Sequence, residues 1–341
     1  MADDGIAFDG KLLRARPLGG AETAFVSLAE ALAARGHRVT VCNNCPEPGA
    51  QFGVDWRPIA NGLPDRADLY IANRGDKLLL GMRDRARRSV FWIHNPAGYL
   101  LKLRYLWKLA LMRPAIVFSG PFHLASYPSW APCGDRVVIP YGIGDTFRSA
   151  EPASAPPAPR AIFTSNPLRG LAWLLELWAA RIHPGMPTAE LHVFSGPATY
   201  GAAGDAKRAA MMAVLERAKS LKDCGVVLRE PVAKSVLVDE LRHARVLLYR
   251  GDPGETFCLA VGEAQAMGLP AVVQPIAATP ERVIDQETGF VARDDNDFAI
   301  YAVRLLADDA LWMAQHRAAL AKQRRWGWDD AAQAFEKLIP A

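Results

Sequence analysis

Along this chain, short apolar runs bounded by turn residues alternate with segments whose apolar residues recur at helical spacing. The first half holds Arg38–Cys42, Asp68–Asn73, Ser89–Pro96, Ala115–Ser119 and Arg136–Pro140, with Gly5–Asp9 as a weaker run ahead of them. The second half holds Arg160–Thr164, Glu190–Gly196, Gly225–Val232, Arg245–Arg250, Ala271–Pro275 and Gly289–Arg293. Helical patterns fall between them, as in Ala24, Leu28 and Leu32 before Gly36, and in Trp173, Leu174, Leu177 and Trp178. Further helices are expected over about 205–222 and over Lys234–His243. Such strand–helix alternation predicts an α/β protein built on parallel sheets. A stretch rich in proline and alanine, Ser149–Pro159, cannot be a helix interior and reads as an extended connector. The expected organisation is therefore a domain over 1–148, a linker over 149–160 and a second domain over 161–325. A terminal helix within 326–341 is expected to return to the first domain.

The most informative segment is Arg245–Pro275. A strand ends at Arg250, the turn residues Gly251-Asp252-Pro253-Gly254 follow, and a helix runs to Gly268 with Pro270 beyond it. Ala271 begins the next strand, which completes a βαβ unit. Ligands of parallel α/β sheets bind beyond the carboxyl ends of the strands. Free amides and the dipole at a helix start make a seat for a diphosphate. Glu255 lies in the loop and Glu263 within the helix, so the two carboxylates can accept from hydroxyls on either side of such a group.

The run Glu255-Thr256-Phe257-Cys258-Leu259, continued by Glu263-Ala264-Gln265-Ala266-Met267-Gly268-Leu269-Pro270, resembles the donor-sugar signature of retaining GT-B glycosyltransferases of the family 4 type. Gly19-Gly20-Ala21-Glu22 with the following helix and Arg35-Gly-His-Arg-Val-Thr40 resembles the first βαβ of the same family. Ile139-Pro140-Tyr141-Gly142-Ile143 resembles its Ile-Pro-Asn-Gly-Ile segment, with Tyr141 in place of Asn. The resemblance implies two Rossmann-like domains facing across a cleft. It implies a nucleotide-diphosphate sugar as donor, with no further cofactor and no catalytic metal. It assigns Glu255 to the sugar hydroxyls, Glu263 to the ribose, His94 to the transferred sugar and Arg169 to the diphosphate. Gly19 and Gly20 would admit the donor and acceptor, and the backbone of Thr256, Phe257, Cys258 and Leu259 would meet the donor. Arg229, Glu230 and Val232 would frame the base. Cys258 stands where the family has glycine, and Thr164-Ser165-Asn166 replaces a second phosphate-binding arginine.

Composition narrows the partners. The 341 residues are 50% hydrophobic and 22% charged, an ordinary globular balance. The formal charge of +4 is uneven, with 19 Lys/Arg against 13 Asp/Glu in residues 1–150. An anionic acceptor or membrane surface is expected there rather than a nucleic acid. Tyr99–Met112, with Lys102, Arg104 and Lys108 among Leu, Tyr and Trp, reads as a half-buried helix of the first domain or as one lying on an anionic membrane. Five scattered cysteines suit a reducing compartment, so a cytoplasmic protein at the inner face of a membrane is expected, with a glycan or lipid-linked acceptor. Cys42-x-x-Cys45 lacks a second ligand pair, and Asp295-Asn296-Asp297 reads as a helix cap rather than a metal motif. A silent member that binds sugar nucleotides stays open, because one phosphate arginine is replaced. An NAD(P)-dependent oxidoreductase ranks lower, as no Gly-x-Gly-x-x-Gly follows the first strand.

Overall fold

The computed structural model describes residues 1–197 and 207–340. The chain divides into two compact units, Met1–Gly142 with Gly327–Ala341, and Ile143–Trp326. The division falls ahead of the Pro/Ala-rich stretch, which runs with the second unit.

The first unit is built on eight strands. They are β1 (Ala2–Asp3), β2 (Val39–Asn43), β3 (Gly49–Gln51), β4 (Val54–Pro58), β5 (Ala67–Asn73), β6 (Ala86–Trp92), β7 (Ala115–Phe118) and β8 (Arg136–Val138). Their order in the sheet is β3-β4-β2-β1-β5-β6-β7-β8. All pairs are parallel except the β3–β4 hairpin. That hairpin is absent from the apolar pattern, because β3 is short and largely exposed. It turns on Phe52 and Gly53, both at positive φ (50° and 80°), the geometry that favours the twist of a two-residue hairpin loop. The first strand is also displaced from the expected Gly5–Asp9 to Ala2–Asp3. The Asp9 carboxylate accepts from the Leu12 amide at 2.8 Å and starts the helix Gly10–Ala15, so the expected strand becomes a connecting loop.

The last helix, Trp328–Glu336, belongs to this first unit. Phe335 packs edge-on against Trp92 at 5.3 Å, and Trp328 stacks on Tyr141 at 6.2 Å. Arg35 binds Glu336 and Asp329 at 2.6 and 2.8 Å. Gly142 is required for this approach, since a Cβ there would lie 2.3 Å from the Trp328 amide nitrogen.

The second unit holds β9 (Arg160–Phe163), β10 (Glu190–Phe194), β11 (Val226–Arg229), β12 (Val246–Tyr249), β13 (Ala271–Val273) and β14 (Gly289–Val291). All are parallel, in the order β11-β10-β9-β12-β13-β14. This is the doubly wound Rossmann order, with its reversal between β9 and β12. The strands at the centre are buried on both faces, which explains their near-continuous apolar runs. The expected helix over 205–222 is Arg208–Ser220 within the described residues, and the expected Lys234–His243 is Lys234–Arg242. In the Asp294–Asp297 region the cap is Asp294, which accepts from the Asp297 amide at 2.8 Å. Asp295 accepts instead from Trp173 and Gln274 at 3.0 and 3.1 Å.

The helix Leu259–Ala266 ends as the sequence predicts. The Leu269 amide reaches the Ala264 carbonyl and the Gly268 amide the Gln265 carbonyl, both at 2.9 Å, with Gly268 at φ 74°. A Cβ on Gly268 would lie 2.6 Å from the buried His316 ring. Gly268→Ala is therefore expected to destabilise the protein by about 2–4 kcal/mol, combining left-handed strain with overpacking. Urea unfolding of the two proteins checks this.

Candidate functional site

Where β9 and β12 run side by side, the strands before and after them lie on opposite sides, so their carboxyl ends open a crevice. Two loops rise from those ends. The loop after β9 is folded by Asn166, whose side chain accepts from the Leu168 amide and whose carbonyl accepts from the Arg169 amide, both at 2.9 Å. Gly170, at φ 80°, then admits the helix Leu171–Leu177. The loop after β12 is folded by Asp252, which accepts from the Gly254 amide through its carboxylate (2.8 Å) and from the Glu255 amide through its carbonyl (2.9 Å).

These turns bring Arg169 and Glu255 together. The Arg169 guanidinium donates to Oε1 of Glu255, a residue only 7% exposed. The Tyr249 hydroxyl, at the end of β12, donates to the same oxygen at 3.0 Å. Burial, reinforced by the neighbouring Cys258 and Glu255, pushes the Tyr249 phenol far above its ordinary range, so it stays a neutral donor.

Thr256, Phe257 and Cys258 are buried, and Leu259 opens the helix. Cys258 is its N-cap at φ 66°, a left-handed conformation that costs a side-chain-bearing residue about 1 kcal/mol or more. The glycine found here in the resembling family would adopt it freely. Burial and the nearby Glu255 charge raise the Cys258 thiol well above its usual value, which keeps it protonated and inert. The Arg282 guanidinium lies 4.2 Å over the Phe257 ring.

Glu263, 4% exposed, points from the first turns of the same helix. Lys234 Nζ contacts both of its oxygens, at 2.8 and 2.6 Å. Of the residues expected to frame a base, Arg229 and Glu230 are exposed where β11 ends, and Val232 is half-buried. Lys234, Tyr249 and Arg282 escaped the sequence reading. Lys234 left one signal, a cation at the first residue of a helix, where the dipole disfavours it.

In the first unit the reversal lies between β1 and β5, beside the loop that carries Gly19 and Gly20. Gly19 caps the helix Gly20–Ala34 in an extended conformation, with the Glu22 carboxylate occupying the space a Cβ would need. Arg74 joins Glu22 (2.8 Å) to the fully buried Asp3 (3.1 Å). Asp3 also accepts from the Asn73 amide group, which leaves the Asn73 carbonyl oxygen facing His94 Nε2 at 2.5 Å. Nε2 therefore carries the proton, and Nδ1 accepts from the Tyr141 hydroxyl. Burial, with Arg74 and His123 nearby, holds the His94 pKa well below its ordinary value. His94 is thus a neutral ring of fixed tautomer, with both nitrogens engaged.

Comparison with known proteins gives matches at three levels, in a family model, in curated relatives and in solved structures. Residues 159–308 match the family model described as glycosyl transferases group 1. Taken with its solved neighbours, the architecture of two parallel α/β units is the fold of GT-B glycosyltransferases. The D-inositol 3-phosphate glycosyltransferase of Streptomyces avermitilis is 38% identical over 119 residues, 34% of this chain and 25% of that protein. The match therefore spans about a quarter of the length of that curated relative. Sucrose-phosphate synthase from Thermosynechococcus elongatus superposes with a TM-score of 0.73 at 19% identity, over 98% of both chains. Anabaena HepE in complex with UDP and glucose gives 0.72 at 12% identity, over 98% of this chain and 97% of that one.

Beside the first-unit site, His123 is fully buried. Its Nδ1 accepts from the Ser119 amide at 3.1 Å, and its Nε2 faces the Asn95 carbonyl at 2.9 Å. Burial lowers its pKa from 6.5 to about 4. The unfolded chain then binds the extra proton, so His123 contributes its stability above pH 6.5 and loses it as pH falls towards about 4. Unfolding free energy is expected to drop by about 3 kcal/mol over that window from this residue. His123→Gln should flatten the slope, as read by denaturant titrations at several pH values.

Proposed function

We propose that this chain is a retaining, metal-independent glycosyltransferase of the family 4 type, moving a sugar from a nucleotide-diphosphate sugar to a hydroxyl of a glycan or lipid-linked acceptor. The observation that carries this reading is the pair of buried carboxylates, Glu255 and Glu263, set on either side of the amino end of Leu259–Ala266, each held by a cation. The UDP and glucose bound by the superposable Anabaena protein support it.

In this reading the diphosphate rests against the first amides of that helix. Arg169 and the dipole offset the charge that grows on the leaving group. Arginine suits the task, because its planar fork can share itself between Glu255 and a phosphate oxygen. Glu255, oriented by Tyr249, accepts from sugar hydroxyls, and Glu263 accepts from the ribose. The same family resemblance assigns His94 to the transferred sugar; within its own unit it is a neutral ring held by Asn73 and Tyr141. Titration calorimetry with UDP-, GDP- and ADP-sugars is expected to find one binder, and Glu263→Ala to weaken it about tenfold or more while the fold survives. Slow release of free sugar without acceptor would mark an enzyme rather than a silent binder. Failure of all three donors to bind would overturn the reading.

The acceptor is proposed to be met at an anionic membrane, in synthesis of cell-surface polysaccharide or glycolipid on the cytoplasmic side. The supporting observation is on the helix Leu103–Met112, where Tyr105 and Leu109 are buried while Leu103, Trp107 and Leu111 form an exposed stripe at 78%, 47% and 48%. Lys108 does not join the outward basic face, since it binds the Asp76 carboxylate at 2.7 Å. Lys102 and Arg104 are exposed towards head groups, although Arg104 also makes a longer, 3.8 Å contact with the same Asp76. Among the described residues no helix is long and apolar enough to cross a membrane, so contact would be peripheral. Co-sedimentation with phosphatidylglycerol vesicles at low salt is expected, and Trp107→Glu should reduce it severalfold. Wild-type protein that stays in the supernatant would remove the membrane from the proposal.

A further inference from the structure

Lys234 ties the loop after β11 to Glu263, its Nζ lying 2.8 and 2.6 Å from the two carboxylate oxygens. A nucleotide seated at the start of Leu259–Ala266, with its ribose towards Glu263, therefore carries its base to the segment that joins β11 to Lys234. That segment is short and stiff. Pro231 fixes its own φ and restricts Glu230 before it to extended backbone. Both residues close over the end of β10, where a Cβ on Gly196 would lie 3.1 Å from the Pro231 ring and 3.7 Å from Oε2 of Glu230. Glycine there leaves room for the pair, and the exposed Glu230 carboxylate stands at the carboxyl ends of β10 and β11. Glu255 and Glu263 each meet a cation, whereas the Glu230 side chain has no ion pair and no hydrogen bond among the described residues.

An ionised carboxylate only accepts, and its two oxygens can take a parallel pair of N–H bonds. Guanine presents such a pair, N1–H and the N2 amino group side by side on one edge. Uracil offers a single N–H between two carbonyl oxygens, and adenine an amino group beside an acceptor nitrogen. Against either of those edges the second carboxylate oxygen meets a lone pair, and that repulsion adds to the discrimination. We infer that Glu230 is a specificity-determining residue: its carboxylate accepts from N1–H and N2–H of guanine, so that the donor is a guanosine-diphosphate sugar. This rests on the donor-site reading above and adds to it the base and the side chain that reads it.

Titration calorimetry of the full chain with GDP, IDP, UDP and ADP tests the inference, IDP being GDP without the N2 amino group. Wild-type protein is expected to bind GDP about tenfold or more tightly than UDP or ADP, the discrimination of one bidentate contact. IDP, which keeps N1–H alone, is expected to fall several times below GDP. Glu230→Gln keeps the shape of the side chain but turns one acceptor into a donor. It is expected to bind GDP about tenfold more weakly, to bring GDP and IDP to similar affinity, and to leave UDP and ADP no weaker than before. Because Glu230 is exposed, the variant is expected to unfold thermally at the wild-type midpoint. Two results would overturn the role of Glu230 while leaving the donor site intact. One is wild-type protein that binds UDP or ADP more tightly than GDP. The other is a glutamine variant that still prefers GDP as wild type does, which makes Glu230 a solvated surface carboxylate. Wild-type protein that binds none of the four nucleotides would overturn the donor-site reading, and the inference with it.

Discussion

Burying a carboxylate is the constraint around which the second unit is arranged. An ionised side chain withdrawn from water costs several kcal/mol unless a partner and hydrogen bonds meet it. Glu255 and Glu263 are both nearly inaccessible, and each is met by a cation from a different loop: Arg169 from the one after β9, Lys234 from the helix after β11. The loops at the carboxyl ends of β9, β11 and β12 are thereby tied to one another around the start of a single helix. Tyr249 adds a neutral donor beneath Glu255, fixed in that role by the burial that suppresses its ionisation. The site is therefore close to charge-balanced before any ligand arrives, and polar groups of a ligand can exchange with internal partners instead of meeting bare charge.

The first unit solves a similar problem with a longer chain of bonds. The fully buried Asp3 is satisfied by Asn73 and Arg74, and its charge sets the orientation of the Asn73 amide. That orientation decides which His94 nitrogen is protonated, and the other is left for Tyr141. Tyr141 in turn stacks on Trp328 from the end of the chain. One tautomer is thus determined by residues near the start, the middle and the end of the sequence. Such networks specify a single arrangement because every member depends on its neighbours.

Two local rules are broken close to the second-unit carboxylates, and both breaks have a counterpart in the structure. Cys258 holds a left-handed conformation that glycine would adopt freely, and it caps the helix that carries Glu263. Lys234 sits against a helix dipole and is compensated by Glu263 itself. Natural sequences depart from local preference mainly where function asks for it. Ala277 and Gln286, between β13 and β14, also hold positive φ, at 53° and 64°.

Most of the architecture was legible in the sequence. The parallel strands announced themselves as apolar runs because both faces of such a sheet are covered, and Gly268 marked a helix end because only glycine takes that conformation without strain. Local signals failed where pairing replaced pattern: β1 is two residues long, and the β3–β4 hairpin turns on Phe52 where Asn or Asp would have betrayed it. The acidic pair was visible from its own segment, since strand, loop and helix there are contiguous. Its partners were not. Arg169 and Glu255 are 86 positions apart and Lys234 and Glu263 are 29, and strand order alone decides that they meet. Charge pairing across a sheet is a property of topology, so the sequence could name the carboxylates while only the folded chain could say what holds them.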